Sequence, residues 1–598
     1  VTPATLISSN ELAIQMGLPR KSVCGFPVIE HADFGKEVVK YNMKSDTRTL
    51  HIGNVFSMGK ETQTEVRLDV DSLTMHTFIT GSTGAGKSNT VYEILDQLRR
   101  LYGIPFMVIE PAKGEYKNVF GQYRDVSVYG TNPQKTALLR LNPFRFPEGV
   151  HVLEHLDRLV EIFNVCWPMY AAMPAILKEG MERAYEKAGW DLATSENKRK
   201  DRFPSFRDLL EEIEHVIDES RYSEDSKGDY AGALLTRVRA LTTGLNSLIF
   251  TGDDIKDPDL FDRNVIVDLS RVGSLETKAL VMGILVMRLN EYRMESGRSN
   301  SLLSHITVLE EAHNLLKRTS TEQSAESSNL LGKSVELLTN SIAEMRTYGE
   351  GFIIADQSPA LLDMAVVRNT NTKILLRLPE KGDRELTGYA SGLDEEQIDE
   401  LTKLAQGVAV IYQNDWVDPV LVKVNRCAIE EKQYSFVPEE KMAVPEIRME
   451  LIRFLLCGRL MEKPDFSIER VGTIEKNLAG QGLSVSDMDF IEAQLEEYKE
   501  TGTLKLWEDE KFSKLAVRIA DILGIRKRIE ECVLRARDYE ELDDKLLQTI
   551  QEVLPKAAKD EMLELEHCLM KDMRIQQDSS ETCRNIYKAW VEHNWRGR

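Results

Sequence analysis

Residues 77–95 read TFITGSTGAGKSNTVYEIL, and this stretch decides the fold. Residues 81–88, GSTGAGKS, match G-x-x-x-x-G-K-[ST] in full. Ahead of them, Thr77–Thr80 is a short run with β-branched residues that predicts a buried strand. Behind them, Val91, Ile94, Leu95 and Leu98 share one helical face. Strand, glycine loop and helix are the context that a phosphate loop requires. Gly81, Gly84 and Gly86 permit backbone conformations that a Cβ would resist. Successive N–H groups can then point inward at phosphate, with the helix N-terminus adding partial positive charge. Lys87 would reach the β- and γ-phosphates, and Ser88 would offer its hydroxyl to Mg²⁺. The expected nucleotide-binding set is Gly81, Ser82, Thr83, Gly84, Ala85, Gly86, Lys87, Ser88 and Asn89. The expected ligand is ATP with Mg²⁺.

Working outward, 598 residues are enough for about three to four domains. The longest apolar run, residues 279–287, is far short of the ~20 residues that span a bilayer. No signal peptide is visible, and the chain opens at Val1 rather than Met, which points to a longer native N-terminus. The seven cysteines are scattered without a C-x-x-C pair, so neither a zinc site nor a disulfide framework is expected. A reduced, cytoplasmic location without membrane contact fits this usage. The net charge of −21 argues against a chain coated in nucleic acid, but it leaves room for a local basic channel.

Residues 1–70 suggest short strands and loops. Residues 71–149 carry the phosphate loop, its helix and a second buried strand ending at Glu110. Residues 150–255 turn to amphipathic helix and are expected to be a helical insertion. The buried-strand pattern resumes at NVIVDLS (264–270), followed by a long helix over 276–294. HITVLEEAH (305–313) comes next, then a polar stretch over 317–329 with the composition of a mobile loop. The strands GFIIADQ, KILLRL and GVAVIYQ complete a core that runs over 71–149 and 256–425. Strands separated by helices predict an α/β fold with a mainly parallel sheet, its chemistry at the strand ends. Residues 426–598 show helical spacing throughout and predict a C-terminal helical domain.

A phosphate-loop enzyme needs an acid to support Mg²⁺ and a group to position the attacking water. HITVLEEAH ends in adjacent carboxylates, Glu310 for the metal and Glu311 as general base. NVIVDLS offers only Asp268, which suits a strand-terminal turn. Gln357, after GFIIAD, can sense the γ-phosphate or orient the water. An arginine must stabilise the transition state, with Arg346 ranked ahead of Arg377 and Arg368. Candidates for phosphate contact with a polymer are Lys317, Arg318, Lys113 and Lys117.

HTFITGSTGAGKSNT, VIEPAKGEY, LNPFRF, VLEEAHNLL and RTYGEGFIIADQSP, in this order, resemble the HerA/FtsK superfamily of ring ATPases, and its HerA branch in particular. The resemblance spans residues 25–425. It implies a RecA-like P-loop ATPase core, a homo-hexamer with ATP sites between subunits, and duplex DNA in a central pore. ATP-driven movement on DNA is implied as well. Archaeal members pair with the nuclease NurA, and bacterial members are often paired with nuclease or other effector enzymes in phage defence. The match carries Lys87 and Ser88 to nucleotide and Mg²⁺, and Glu310 and Glu311 to metal and water. It carries Gln357 to the sensor position and Arg346 to the completing arginine. The role of Glu115, the acid of PAKGEY, stays open. Many members open with a small β-barrel, for which residues 1–60 are too short. The C-terminal helices fall outside the shared motifs. Two readings therefore stand side by side: a DNA translocase or helicase working with an effector, and an ATP-controlled scaffold that assembles and activates one. A conjugation-type DNA pump is a third, and such pumps usually carry membrane segments.

Overall fold

The computed structural model describes residues 9, 24, 31–41, 47–197, 202–252, 254–297, 300–318, 330–436, 446–460, 466–478, 483–507, 509–536, 538–554, 557–576 and 581–594. The polar stretch over 319–329 lies outside the described residues. In chain order the strands used below are β1 (Thr49–Ser57), β2 (Lys60–Asp69), β3 (Thr77–Thr80), β4 (Phe106–Glu110), β5 (Val126–Gly130) and β6 (Ala137–Leu138). They continue with β7 (Asn264–Asp268), β8 (His305–Glu310), β9 (Glu350–Asp356), β10 (Thr372–Leu375), β11 (Val408–Gln413) and β12 (Val420–Val424). The chain forms two compact units, one from Val1–Tyr102 with Ile353–Ala428, the other from Gly103–Phe352 with Ile429–Arg598.

In the first unit the strand order is β2-β1-β12-β11-β10-β3-β9. β3 lies between β10 and β9 and is parallel to both, with Thr80 opposite Leu375 on one side and Asp356 on the other. All four β3 residues are buried, which explains why its sequence is a continuous run rather than an alternation. β11 and β12 then turn the sheet antiparallel. Before residue 70, where short strands and loops were expected, the chain makes a hairpin of nine- and ten-residue strands. Its turn at Met58 and Gly59 has two positive φ angles, 51° and 73°, the conformation that two-residue hairpins favour. Gly53, Asn54 and Val55 of β1 pair with β12. Two register irregularities, at 51–53 and 54–56, interrupt the period-two pattern and hide these strands from a reading of the sequence.

In the second unit β8-β4-β7-β5-β6 are all parallel. Helix α1 belongs to the first unit (Lys87–Gln97), while α2 (Val152–Cys166), α3 (Phe206–Glu219) and α4 (Leu275–Glu295) belong to the second. α3 begins in a capping box between Ser205 and Asp208 and buries Leu209, Ile213, Val216 and Ile217 on one face. α4 is buried almost all round, matching its unbroken apolar sequence. No helix among the described residues is long and apolar enough to cross a membrane.

The C-terminal helices form a domain with its own core, including Phe454, Leu515, Ile519, Leu546, Leu569 and Trp590. They are tied to the helices before them within the same unit. The Val485 amide donates to Asp208 at 3.0 Å, and Arg202, only 5% exposed, pairs with Asp489 at 2.8 Å and with Glu492. Inside this core the Trp590 indole N–H donates to Asp543 (2.5 Å) and to Glu566 (3.2 Å). Burial, then the hydrogen bond and charge of Asp543, push the Glu566 carboxyl up to about 10. Between the ordinary carboxylate range and about 10, the folded chain therefore holds a proton that the unfolded chain has released. Stability contributed by this group is present at acid pH and falls as pH rises through that window, by at most about 1.4 kcal/mol per pH unit. Thermal melts from about pH 6 to pH 9 are expected to show a falling midpoint whose slope flattens in Glu566→Gln. Parallel curves for the two proteins would contradict the protonated carboxyl.

Candidate nucleotide site

The phosphate loop leaves β3 in the first unit and is gripped by backbone from two sides. The Ser82 amide donates to the Arg377 carbonyl at 2.9 Å, and the Gly407 amide donates to the Ala85 carbonyl at 2.9 Å. Ala85 closes back onto the Ser82 carbonyl at 3.0 Å. Gly84 (φ 77°) and Gly86 (φ 117°) occupy left-handed conformations that side chains resist. A Cβ at Gly81 would lie 2.7 Å from the Leu376 Cβ. A Cβ at Gly84 would meet nothing within 4 Å, so the loop is open above that residue. Gly86 caps α1, whose first turn contains no acidic side chain, so its N-terminal dipole is uncompensated by the helix itself.

Lys87 stands at the first helical position and is only 7% exposed. Ser88 is half-buried. The Ser82 hydroxyl oxygen is buried with no hydrogen-bond partner among the described residues. A buried lysine, an orphaned hydroxyl and an amide-lined loop at a helix N-terminus suit a polyphosphate. A serine hydroxyl and carboxylates are oxygen donors of the kind Mg²⁺ takes. Asn89 spends its side chain elsewhere: it donates to the Asn425 carbonyl at 2.8 Å and accepts from the Cys427 amide at 3.0 Å. The Asn89 side chain thus clasps the chain leaving β12. Gln357 directly follows β9 and accepts a hydrogen bond from the Thr83 hydroxyl at 2.7 Å, so sensor and loop meet. Arg377, whose own carbonyl holds Ser82, has an exposed side chain, while Arg368 is exposed at the end of a short helix.

The second unit carries the acids. Asp268, Glu110 and Glu310 end three adjacent parallel strands, with Glu110 opposite Asp268 and Ile109 opposite Leu309. Asp268 accepts from the Ser270 amide and hydroxyl at 2.9 and 2.5 Å and pairs with Lys117, which bears out its reading as a strand-terminal turn residue. Lys117, proposed from sequence as a polymer contact, is therefore engaged internally and only 17% exposed. Glu110 accepts from the amides of Glu115 (2.7 Å) and Tyr116 (3.2 Å). Burial pushes its carboxyl up to about 7; the two amides oppose the rise, and Asp268 and Glu310 add to it. Glu310 is 6% exposed and accepts from the Tyr116 hydroxyl at 2.5 Å.

Glu311 has φ 46° and ψ 51°, a left-handed conformation uncommon for a residue with a Cβ. Such strain clusters at functional sites. Its carboxylate lies 3.7 Å from the His313 ring, and its carbonyl accepts from the Asn314 amide and side chain. Arg346 is exposed on the turn Met345–Tyr348. Gly349 ends that turn at φ 78°, where a Cβ would stand 2.5 Å from the Leu302 carbonyl oxygen. Lys113, Lys317 and Arg318 are exposed, with Lys113 lying 3.9 Å from Glu115. Sequence reasoning did not single out Glu110 and Tyr116 as site residues. The signal was an acid at a strand end followed by PAKGEY.

Strand, glycine loop and helix N-terminus in this geometry, on a mostly parallel sheet, are those of a P-loop nucleotide-binding fold. The family described as the central domain of the helicase HerA matches residues 50–289. The DNA double-strand break repair helicase HerA of Sulfurisphaera tokodaii is 24% identical over 382 residues, 63% of this chain and 69% of that protein. Its namesake from Sulfolobus acidocaldarius is 25% identical over 369 residues, 60% of this chain and 67% of that protein. Among solved structures, VirB4 of Thermoanaerobacter pseudethanolicus aligns with a TM-score of 0.49 at 18% identity, over 64% of this chain and 97% of that chain. Over residues 50–289, then, the chain carries the central domain of the HerA/FtsK superfamily of P-loop ATPases.

Proposed function

We propose that this chain is an ATP-hydrolysing DNA translocase or helicase of HerA type. It would act as a homo-hexamer with a RecA-like core and duplex DNA in the central pore, together with a partner nuclease or another effector enzyme. Phage defence or DNA end processing is the setting that such a pairing suits. The observation that carries the reading is the phosphate loop: buried Lys87, the orphaned Ser82 hydroxyl and a helix start without acids, in a chain of this superfamily.

In this reading residues 71–149 and 256–425 form the motor core, residues 150–255 are an insertion, and residues 426–598 dock the partner. The loop amides and Lys87 bind the β- and γ-phosphates, and Ser88 and Glu310 serve the metal. Mg²⁺, when bound, neutralises charge on the transferring phosphoryl group. Glu311 takes a proton from the attacking water. Gln357, joined to the loop through Thr83, reports the γ-phosphate. Arg346, exposed on a turn that Gly349 holds, stabilises transition-state charge on a neighbouring subunit's nucleotide. Exposed Lys317 and Arg318 remain candidates for DNA phosphate.

The second reading, an ATP-controlled scaffold that activates an effector without processive translocation, is favoured by the net charge of −21 and by a helical C-terminal domain beyond the family match. ATP turnover with and without duplex DNA separates the two, with Glu311→Gln as background. For the motor we expect several-fold stimulation by DNA that fades between about 50 and 200 mM salt, because phosphate contacts release counterions. Turnover indifferent to DNA at all salt concentrations would overturn the motor in favour of the scaffold.

A further inference from the structure

Three carboxylates end three neighbouring parallel strands, which lie only about 4.8 Å apart. Like charges so close raise one another's proton affinity unless each has its own donors. The segment from Gly114 to Lys117 apportions those donors. Lys117 goes to Asp268, and the Glu115 and Tyr116 amides go to Glu110. The Tyr116 hydroxyl goes to Glu310. Gly114, at φ 69°, permits the turn; a Cβ there would come within 3.0 Å of both the Lys117 ammonium nitrogen and the Ser270 hydroxyl.

Tyr116 is therefore held at both ends. Its amide is fixed by Glu110, its ring is 1% exposed, and its hydroxyl reaches a residue 194 positions away in the chain. The O–H···O bond engages one named oxygen, Oε1, of Glu310. A charge-assisted bond of this length restrains the rotation of the carboxylate about its last torsion.

We propose that Tyr116 is a positioning residue. It sets the orientation of the Glu310 carboxylate and thereby the affinity of the site for its divalent cation. Glu110 acts behind it by fixing the Tyr116 backbone. This inference rests on the reading of Glu310 as the acid that supports the metal through water. Groups behind a metal's immediate ligands commonly set its affinity by 10- to 100-fold. A buried tyrosine also needs a hydroxyl partner for purely structural reasons, so the test must separate positioning from packing.

The full chain is titrated with Mn²⁺, followed by electron paramagnetic resonance, in the presence of a non-hydrolysable ATP analogue. Wild type, Tyr116→Phe and Glu310→Gln are compared, each with a thermal melt and with analogue affinity measured in EDTA. We expect Tyr116→Phe to weaken Mn²⁺ binding about tenfold and Glu310→Gln by 10- to 100-fold, with metal-free analogue affinity unchanged. In turnover, Tyr116→Phe should need more metal for half-saturation while KM for ATP at saturating metal holds. Wild-type Mn²⁺ affinity in Tyr116→Phe, beside weakened binding in Glu310→Gln, would overturn the inference alone, whether or not the melting temperature drops. Wild-type Mn²⁺ affinity in Glu310→Gln would overturn the reading of Glu310 and this inference with it.

Discussion

Lys87→Ala is expected to lose nucleotide binding. The lysine is the one cationic side chain in the first turn of α1, and it is almost fully buried against the phosphate loop. Its ammonium would make two or three charge-assisted bonds to phosphate oxygens, each worth about 1.5–3 kcal/mol. Removing them leaves the loop amides and the helix dipole, which bind anions more weakly and without a point charge. We expect ATP affinity to fall by at least about 100-fold in a fluorescent-nucleotide titration, the lower end of what those bonds supply. The loop backbone is held through the Arg377 carbonyl and the Gly407 amide, which the substitution leaves in place, so the variant should fold. Unchanged ATP affinity would sink the phosphate assignment, and with it the motor and the scaffold alike.

Glu311→Gln separates binding from chemistry. Glutamine keeps the size and shape of the side chain, and the left-handed backbone at this position is a property of the turn, so geometry should persist. What is lost is the ability to accept a proton from water. General-base catalysis contributes roughly 100- to 10,000-fold, and the turnover number should fall by that order. Nucleotide affinity should stay within about threefold of wild type, since the contacts to phosphate are untouched. A variant that still turns over at the wild-type rate rules Glu311 out as the base and moves attention to Glu110, whose carboxyl sits near 7.

Much of the first unit was legible because its signals are local. The β3 strand, the glycine loop and α1 lie within about twenty residues, and each glycine has a conformational reason visible in the motif. The β1–β2 hairpin was less legible because its irregularities break the alternation that marks a strand. β12 is hard to read because VLVKV is short and one of its partners, β1, lies far away in the chain. In sequence Glu110 is only the end of a strand. Its importance appears when β4 is seen between β7 and β8, which places three acids side by side from positions 110, 268 and 310. Lys117 illustrates the reverse error. In sequence, a lysine in a polar turn reads as a candidate contact for a polymer's phosphates, and only the pairing of β4 with β7 brings Asp268 to it. The arginines stayed ambiguous for a physical reason: Arg346, Arg368 and Arg377 are all exposed, and exposure alone does not distinguish a group awaiting a neighbour from a solvated one.

The position of β3 between β9 and β10 also has a consequence for the order of synthesis. On the ribosome, β3 emerges early, yet both strands that flank it are made only when residues 353–356 and 372–375 appear. At about 5–20 residues per second, the phosphate-loop strand waits roughly 15 to 60 s with both edges open. During that interval a four-residue strand, TFIT, and its flanking helix have no sheet to enter, and they are open to unwanted pairing or to chaperones. Competence to hold nucleotide therefore arises late in translation. Chains truncated before residue 375 would carry the whole GSTGAGKS sequence without the frame that shapes it.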